Sequence, residues 1–334
     1  MRYPYCDMHC DTLMRTLREN PDSLYDGKGM QNLVMMHEIG QMMQFFAVFF
    51  PPRPKTEEER ARMAARGMKE MPDDETYYAL LRDALFAQVE KHSDFMALAR
   101  TATELETNFA AGKQTAMLTI EDGRIVNGSM DRLRALADDG VVAIALTWNG
   151  INCFGHPNSR DPEAMKLGLT PFGKEAIGEM ERLHIIPDVS HLSDGGFYDL
   201  AGIAKKPFIA SHSNCRAITD HPRNLTDEMI RVLAEHGGVA GLNFEKSFVA
   251  PTDTDPATTV DYLVAHVMHL LQVGGEDIIA MGTDFDGIGP GMEIENTSEM
   301  GKLFEGLMKA GLTERQLDKF MSGNVLRVLH ETLG

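Results

Sequence analysis

The sequence predicts an α/β chain folded as a (β/α)8 TIM-type barrel with a helical excursion after the second strand. Short apolar runs rich in Ile, Val, Leu and Met alternate with amphipathic stretches along the 334 residues. That is the pattern of parallel strands joined by right-handed crossovers. About eight such units at this length favour a barrel over a doubly wound sheet. The first strand-to-helix connections also lack the GxGxxG pattern of a dinucleotide fold.

Strand-like segments are expected near residues 3–9, 45–50, 115–121, 141–147, 185–191, 207–212, 238–243 and 277–284. Helical patterns separate most of them, notably 171–183, 226–236 and 258–273. Thr170-Pro171 reads as an N-cap followed by proline at the first helical position. Thr226 precedes Asp227 and Glu228, which load a first turn with acids. Residues 51–110 depart from the rhythm: PPRPKTEEERARMAARGMKEMPDDE leads into a Met- and Ala-rich helical pattern with mixed charges. This segment reads as a helical excursion packed outside the barrel, with a lid or subunit contact as the alternative. No internal repeat or low-complexity linker divides residues 1–334, so one domain is expected.

Hydrophobic content of 43% and charged content of 25% are those of an ordinary globular chain. A net charge of −18 argues against a nucleic-acid partner, since phosphate contacts need clustered Lys and Arg. MRYPYCDMHCDT has neither the apolar region nor the small-residue cleavage site of a signal peptide. QMMQFFAVFF, the longest apolar candidate, ends at Pro51-Pro52 and is too short to span a membrane. Cys6, Cys10, Cys153 and Cys215 form no evenly spaced framework and read as reduced thiols, so a cytoplasmic location is expected.

The chemistry lies at the ends of the apolar runs. His9 and Asp11 close the first, Glu121 the third, His191 the fifth, His212 the sixth and Asp284 the eighth. In a parallel barrel those ends converge on one face, where active sites form. His9 and Asp11, two apart on a strand, leave from the same face. Glu121 follows an apolar run directly, where a carboxylate needs a cationic partner; a salt bridge to Arg124 is the bland alternative. His191 and His212 could each be a hydrogen-bonded core histidine. Their coincidence with the other strand ends points to a metal, and imidazole with carboxylate suits zinc. Asp284 is the candidate proton shuttle, with Asp286 competing. A structural zinc on Cys6, His9 and Cys10 is disfavoured, because on an extended strand the two cysteines share a face and His9 points away.

Taken together, HCDT (9–12), IEDG (120–123), GLTPFG (168–173), DVSHLSD (188–194), SHSNCRAITDHPRN (211–224), GTDFDG (282–287) and SGNVLRVL (322–329) closely resemble the membrane dipeptidase (renal dipeptidase) family, the M19 metallopeptidases of the amidohydrolase-type barrel. The resemblance implies zinc-dependent hydrolysis of dipeptides, often with a D-residue at the carboxyl end, through a metal-bridging hydroxide. It implies two zinc ions per chain, one on His9 and Asp11 and one on His191 and His212, bridged by Glu121 and that hydroxide. Asp284 would move the proton, and Arg223 would receive the substrate carboxylate, a task suited to a planar guanidinium. A surface ion pair with Asp220 or Asp227 is the bland alternative for Arg223. A homodimer is also implied.

One position departs from the family. In the mammalian members the fourth strand ends LTHN, whereas here it reads LTWN, with Trp148 as the only tryptophan. Indole donates one hydrogen bond but carries no charge. Either Trp148 assists in its own way, His156 or Asn149 substitutes, or the preferred substrate differs; simple packing at the pocket rim is the bland alternative for Trp148. Cleavage of another carboxylate-bearing amide, such as an N-acyl amino acid or a lactam, is therefore the alternative activity. A metal-binding relative without catalysis is the alternative of another class.

Overall fold

The computed structural model describes residues 5–334, apart from 21, 41, 55, 66–70, 253, 254 and 256. Among the described residues, nine strands form one parallel sheet: β1 Tyr5–Cys10, β2 Met42–Phe49, β3 Met96–Leu98, β4 Gln114–Glu121, β5 Val141–Ala145, β6 Ile186–Asp188, β7 Ile209–Ala210, β8 Val239–Leu242 and β9 Ile279–Met281. Eight follow one another around a nearly closed barrel in the order β1-β2-β4-β5-β6-β7-β8-β9. The expected fold class is therefore the observed one. Residues 3 and 4 of the first expected strand, and 66–70 of the expected excursion, lie outside the described residues.

The seam between the first and last strands is held by few bonds. Cys10 bridges Phe285, Asp284 N–H donates to the His9 carbonyl at 3.1 Å, and Asp11 N–H donates to the Phe285 carbonyl at 2.9 Å. Below them the fully buried Asp7 carboxylate accepts Thr283 N–H at 2.9 Å and its hydroxyl at 2.7 Å. This side-chain clasp takes over where the backbone ladder is short.

Period-two alternation sorts the strand residues between two layers. Cys6, Met8, Met43, Phe45, Met117, Ala143, Ile186, Ile209 and Ala280 pack together inside the barrel. That cluster continues into Val325, Val328, Leu329 and Leu333 of the closing helix Asn324–Leu333. Phe46, Val48, Leu118, Ile120 and Ile144 pack outward against the helices. On β4, Met117 therefore puts Glu121, four residues on, over the barrel interior. The helices begin as their caps dictate: the Thr170 hydroxyl accepts Gly173 N–H ahead of Pro171, and that of Thr226 accepts Met229 N–H.

Two details correct the sequence reading. The excursion contains the helices Glu57–Ala65, Asp74–Lys91 and Ala102–Ala110, but also the strand β3, which pairs with the first half of β4 while β5 pairs with the second. Three residues are too few for alternation to announce a strand. Cys6 and Cys10 also do not share a face. A register shift between Asp7 and Cys10 leaves Cys6 in the inner cluster and Cys10 in the outer one. Among the described residues, no helix is long and apolar enough to cross a membrane.

Candidate metal centre

The barrel brings His9, Asp11, Glu121, His191, His212 and Asp284 together at the carboxyl ends of its strands, none more than 9% exposed. Glu121 lies between the histidines. Its Oε1 is 2.9 Å from His191 Nε2 and 3.4 Å from His212 Nε2, and its Oε2 is 3.6 Å from His9 Nε2. His9 Nε2 also lies 3.9 Å from Asp11 Oδ2 and 3.7 Å from Asp284 Oδ1.

The donor set suits a cation. His9 Nε2 and Asp11 Oδ1 are buried without a hydrogen-bond partner, and the Nε2 atoms of His191 and His212 face each other at 3.1 Å. Ligand atoms of His9, Glu121 and His212 lie within 4.8 Å of one another, as do those of His9, Asp11 and Asp284. Three carboxyl groups confined here need positive charge between them.

Burial governs protonation at the centre. It pushes the Asp284 carboxyl up to about 8 and Asp11 to about 6, and it lowers His191 to about 4 and His212 well below its usual value. Burial also works against charge on His9 and Glu121. There the attraction between them prevails, holding His9 well above and Glu121 well below the ordinary range. His191 and His212 are thus neutral imidazoles, the form that ligates metal.

The local backbone is bent to aim these groups. His191 and Asp284 adopt φ of 70° and 64°, a left-handed conformation costing a non-glycine residue about 1–3 kcal/mol. Gly241 and Gly282 let the neighbouring chain press on the residue before His212, since a Cβ at either would meet the Ser211 carbonyl oxygen at 1.8 or 1.7 Å.

The ring orientations follow from a buried relay. His212 Nδ1–H donates to Ser211 Oγ at 2.7 Å, and the Ser211 hydroxyl donates to Asp188, which also accepts Ser190 and Ser211 N–H at 2.9 Å each. The Ser211 proton is committed to Asp188, so the His212 proton sits on Nδ1 and Nε2 is free toward Glu121. Asn149 Oδ1 lies 3.4 Å from His191 Nδ1 and favours the same tautomer there. Asn243 Nδ2 donates to Asp284 Oδ2 at 2.9 Å and leaves Oδ1 toward His9.

The bland alternatives are absent for two residues. Arg124 pairs with Asp74 and Asp122 rather than Glu121. Arg223 is buried beside the centre, donating to Ser213 Oγ at 3.0 Å and the His212 carbonyl at 3.1 Å, with no hydrogen-bond partner for Nε. Burial lowers its guanidinium to about 10. Asp286 turns away from the cluster, accepting from the Thr12 hydroxyl, Arg15 and Met30 N–H.

Residues 1–333 match the membrane dipeptidase family, peptidase family M19. The chain belongs to this family. Membership makes it a peptide-bond hydrolase of a metal-using family. Among its relatives, an uncharacterised protein of the pqqA 5′ region in Klebsiella pneumoniae is 34% identical over 74% of this chain and 93% of its own length. Dipeptidase verJ of Clonostachys rogersoniana is 30% identical over 74% of this chain and 63% of its own, so the match spans less than two thirds of that relative. Two solved structures superpose along their whole length. One, the dipeptidase AC of the same family, has a TM-score of 0.86 at 28% identity and 100% coverage of both chains. The other, a metallopeptidase from Rhodobacter sphaeroides liganded with a phosphinate mimic of L-Ala-D-Ala, has 0.85 at 27% identity and 99% of each.

In this membrane dipeptidase relative, half-buried Trp148 stands edge-to-face with Phe49, ring centres 5.0 Å apart, and 6.1 Å from the His191 ring. His156 Nδ1 engages the Gly168 carbonyl at 3.0 Å, while Asn149 Oδ1 lies 3.4 Å from His191 Nδ1 and Asn158 Nδ2 donates to the His191 carbonyl at 3.1 Å. Sequence reasoning did not find Asp188, Ser211 or Asn243. The only signal was a polar residue inside an otherwise apolar strand ending, as in IIPDVSH. Ser211→Ala is expected to weaken metal binding about 10–100-fold, the usual cost of removing a group that holds a metal-bound histidine. Competition with a chelator would measure it, and unchanged affinity would dismiss the relay.

Proposed function

We propose that the protein hydrolyses dipeptides, including those with a D-residue at the carboxyl end, with two zinc ions held by His9 and Asp11 and by His191 and His212, bridged by Glu121. The observation that carries this reading is the division of the Glu121 carboxylate, one oxygen toward His191 and His212 and the other toward His9. The ions would supply a water of lowered pKa and polarisation of the scissile carbonyl. Arg223 receives the substrate carboxylate, for which its unpartnered Nε–H is a ready donor in a dry setting. Asp284, steadied through one oxygen by Asn243, takes the proton of the attacking water and returns it to the leaving amine. The L-Ala-D-Ala mimic held by the Rhodobacter sphaeroides structure supports the stereochemical part.

The indole beside His191 favours a second reading, cleavage of another carboxylate-bearing amide on the same centre. The proposal extends to one domain over 1–334, which no repeat or linker divides, to a cytoplasmic location in keeping with reduced thiols, and, on the resemblance alone, to a homodimer. The test is metal content by elemental analysis with hydrolysis of L-Ala-D-Ala assayed on the same sample. Two zinc ions with turnover are expected. Two ions without turnover would turn the search to other carboxylate-bearing amides, and no bound metal after supplementation would overturn the proposal.

A further inference from the structure

The register of β2 against β4 pairs Phe49 with Glu121. Paired residues of neighbouring strands project to the same side of a sheet, so Phe49 rises over the barrel mouth next to the candidate bridging carboxylate. On the other flank of β4, Ala145 pairs with Glu121, and Trp148 stands three residues beyond it. The two rings meet at 5.0 Å, so the strands on either side of Glu121 together raise one aromatic wall. Both rings are half-buried, although Phe50, the next residue, is wholly buried in the outer core. Ile151, 70% exposed, extends the apolar surface along the loop after β5.

Strand order sets this wall against Arg223. β2 and β7 are second and sixth of the eight strands around the barrel, half a turn apart. The Arg223 guanidinium is fixed on the end of β7 through Ser213 and the His212 carbonyl. A dipeptide with its carboxylate on Arg223 and its peptide bond over the histidines must send its amino-terminal residue toward β2 and β5. An extended dipeptide spans about 7 Å, and the long Arg223 side chain and the two rings reach inward from opposite sides to shorten the distance it has to cover.

Resting on the dipeptidase reading, we infer that Phe49 and Trp148 receive the side chain of the substrate's amino-terminal residue, and that the enzyme selects dipeptides in which this residue is large and apolar or aromatic. The wall offers ring faces and edges for such a side chain.

Trp148 is the chain's only tryptophan, so its emission reports on the wall directly. The zinc-loaded protein is titrated with phosphinate dipeptide mimics in two series, followed by calorimetry and tryptophan emission. One series varies the amino-side group from methyl to benzyl above a constant D-Ala-like end; the other varies the carboxyl side. The benzyl mimic of the first series should bind on the order of 10–100-fold more tightly than the methyl one and change the emission more. Trp148→Ala should collapse that ratio to within a few-fold, and Trp148→Phe should retain most of it. Equal affinities along the amino-side series, or a ratio unmoved by Trp148→Ala, would overturn the inference while leaving the dipeptidase reading intact. A Trp148→Ala effect confined to the carboxyl-side series would place the wall at the other end of the substrate and also overturn it. Failure of every mimic to bind the two-zinc protein would defeat the dipeptidase reading and the inference with it.

Discussion

Asp284→Asn is expected to lower kcat by about 10²–10⁴-fold while two metal ions stay bound. That range is what a well-placed general acid–base group contributes. Asn matches Asp in shape, is tolerated at a φ of 64°, and can still meet Asn243, so the fold should hold. What it cannot do is take up a proton and return it. Burial pushes the Asp284 carboxyl up to about 8, so at neutral pH the metal-free protein must take up a proton there on folding, a cost that a neutral amide is spared. The thermal midpoint of the metal-free variant should accordingly match or exceed that of the parent. Elemental analysis beside steady-state rates checks the prediction, and near-normal turnover would exclude Asp284 as the proton carrier.

Glu121→Gln should act earlier, on the metal centre itself. Among the described residues, Glu121 is the one carboxylate within 3.6 Å of His9, His191 and His212 alike, and attraction to His9 keeps it ionised against burial. An amide keeps the volume but loses the charge and one oxygen. Metal affinity is expected to fall by more than the 10–100-fold typical of losing a group that only orients a ligand. Turnover at ordinary metal concentrations should fall with it. A chelator should lower the melting temperature of the parent, because bound metal stabilises the folded state by mass action, and should hardly move that of the variant. Equal chelator effects on the two proteins would mean that the metal does not depend on Glu121.

The site was more legible in the sequence than the barrel that holds it. His9, Glu121, His191, His212 and Asp284 each close an apolar run, and the structure brings all of them together with Asp11. The strand boundaries were less legible. Residues 207–212 suggest a six-residue strand, yet only Ile209–Ala210 stays in the ladder, because Ser211 and His212 leave it for Asp188 and Ser190. Those bonds link residues 22 or 23 positions apart, which no local pattern encodes. The bulge that separates Cys6 from Cys10 is hidden for a related reason: alternation assumes an even register, and β1 loses it between Asp7 and Cys10. The Asp7–Thr283 clasp joins the first and last strands and has no sequence signature at all.

That clasp has a consequence during synthesis. Its two residues are separated by 276 positions, and 275 and 273 positions divide His9 and Asp11 from Asp284. On a ribosome adding about 5–20 residues per second, the first strand waits tens of seconds for its last neighbour. Through that interval His9 and Asp11 belong to an unpaired strand edge, open to stray cations and to the edges of other nascent chains. The proposed ligand set is therefore complete only when the last strand docks, and a metal bound by it would load late in the life of each chain.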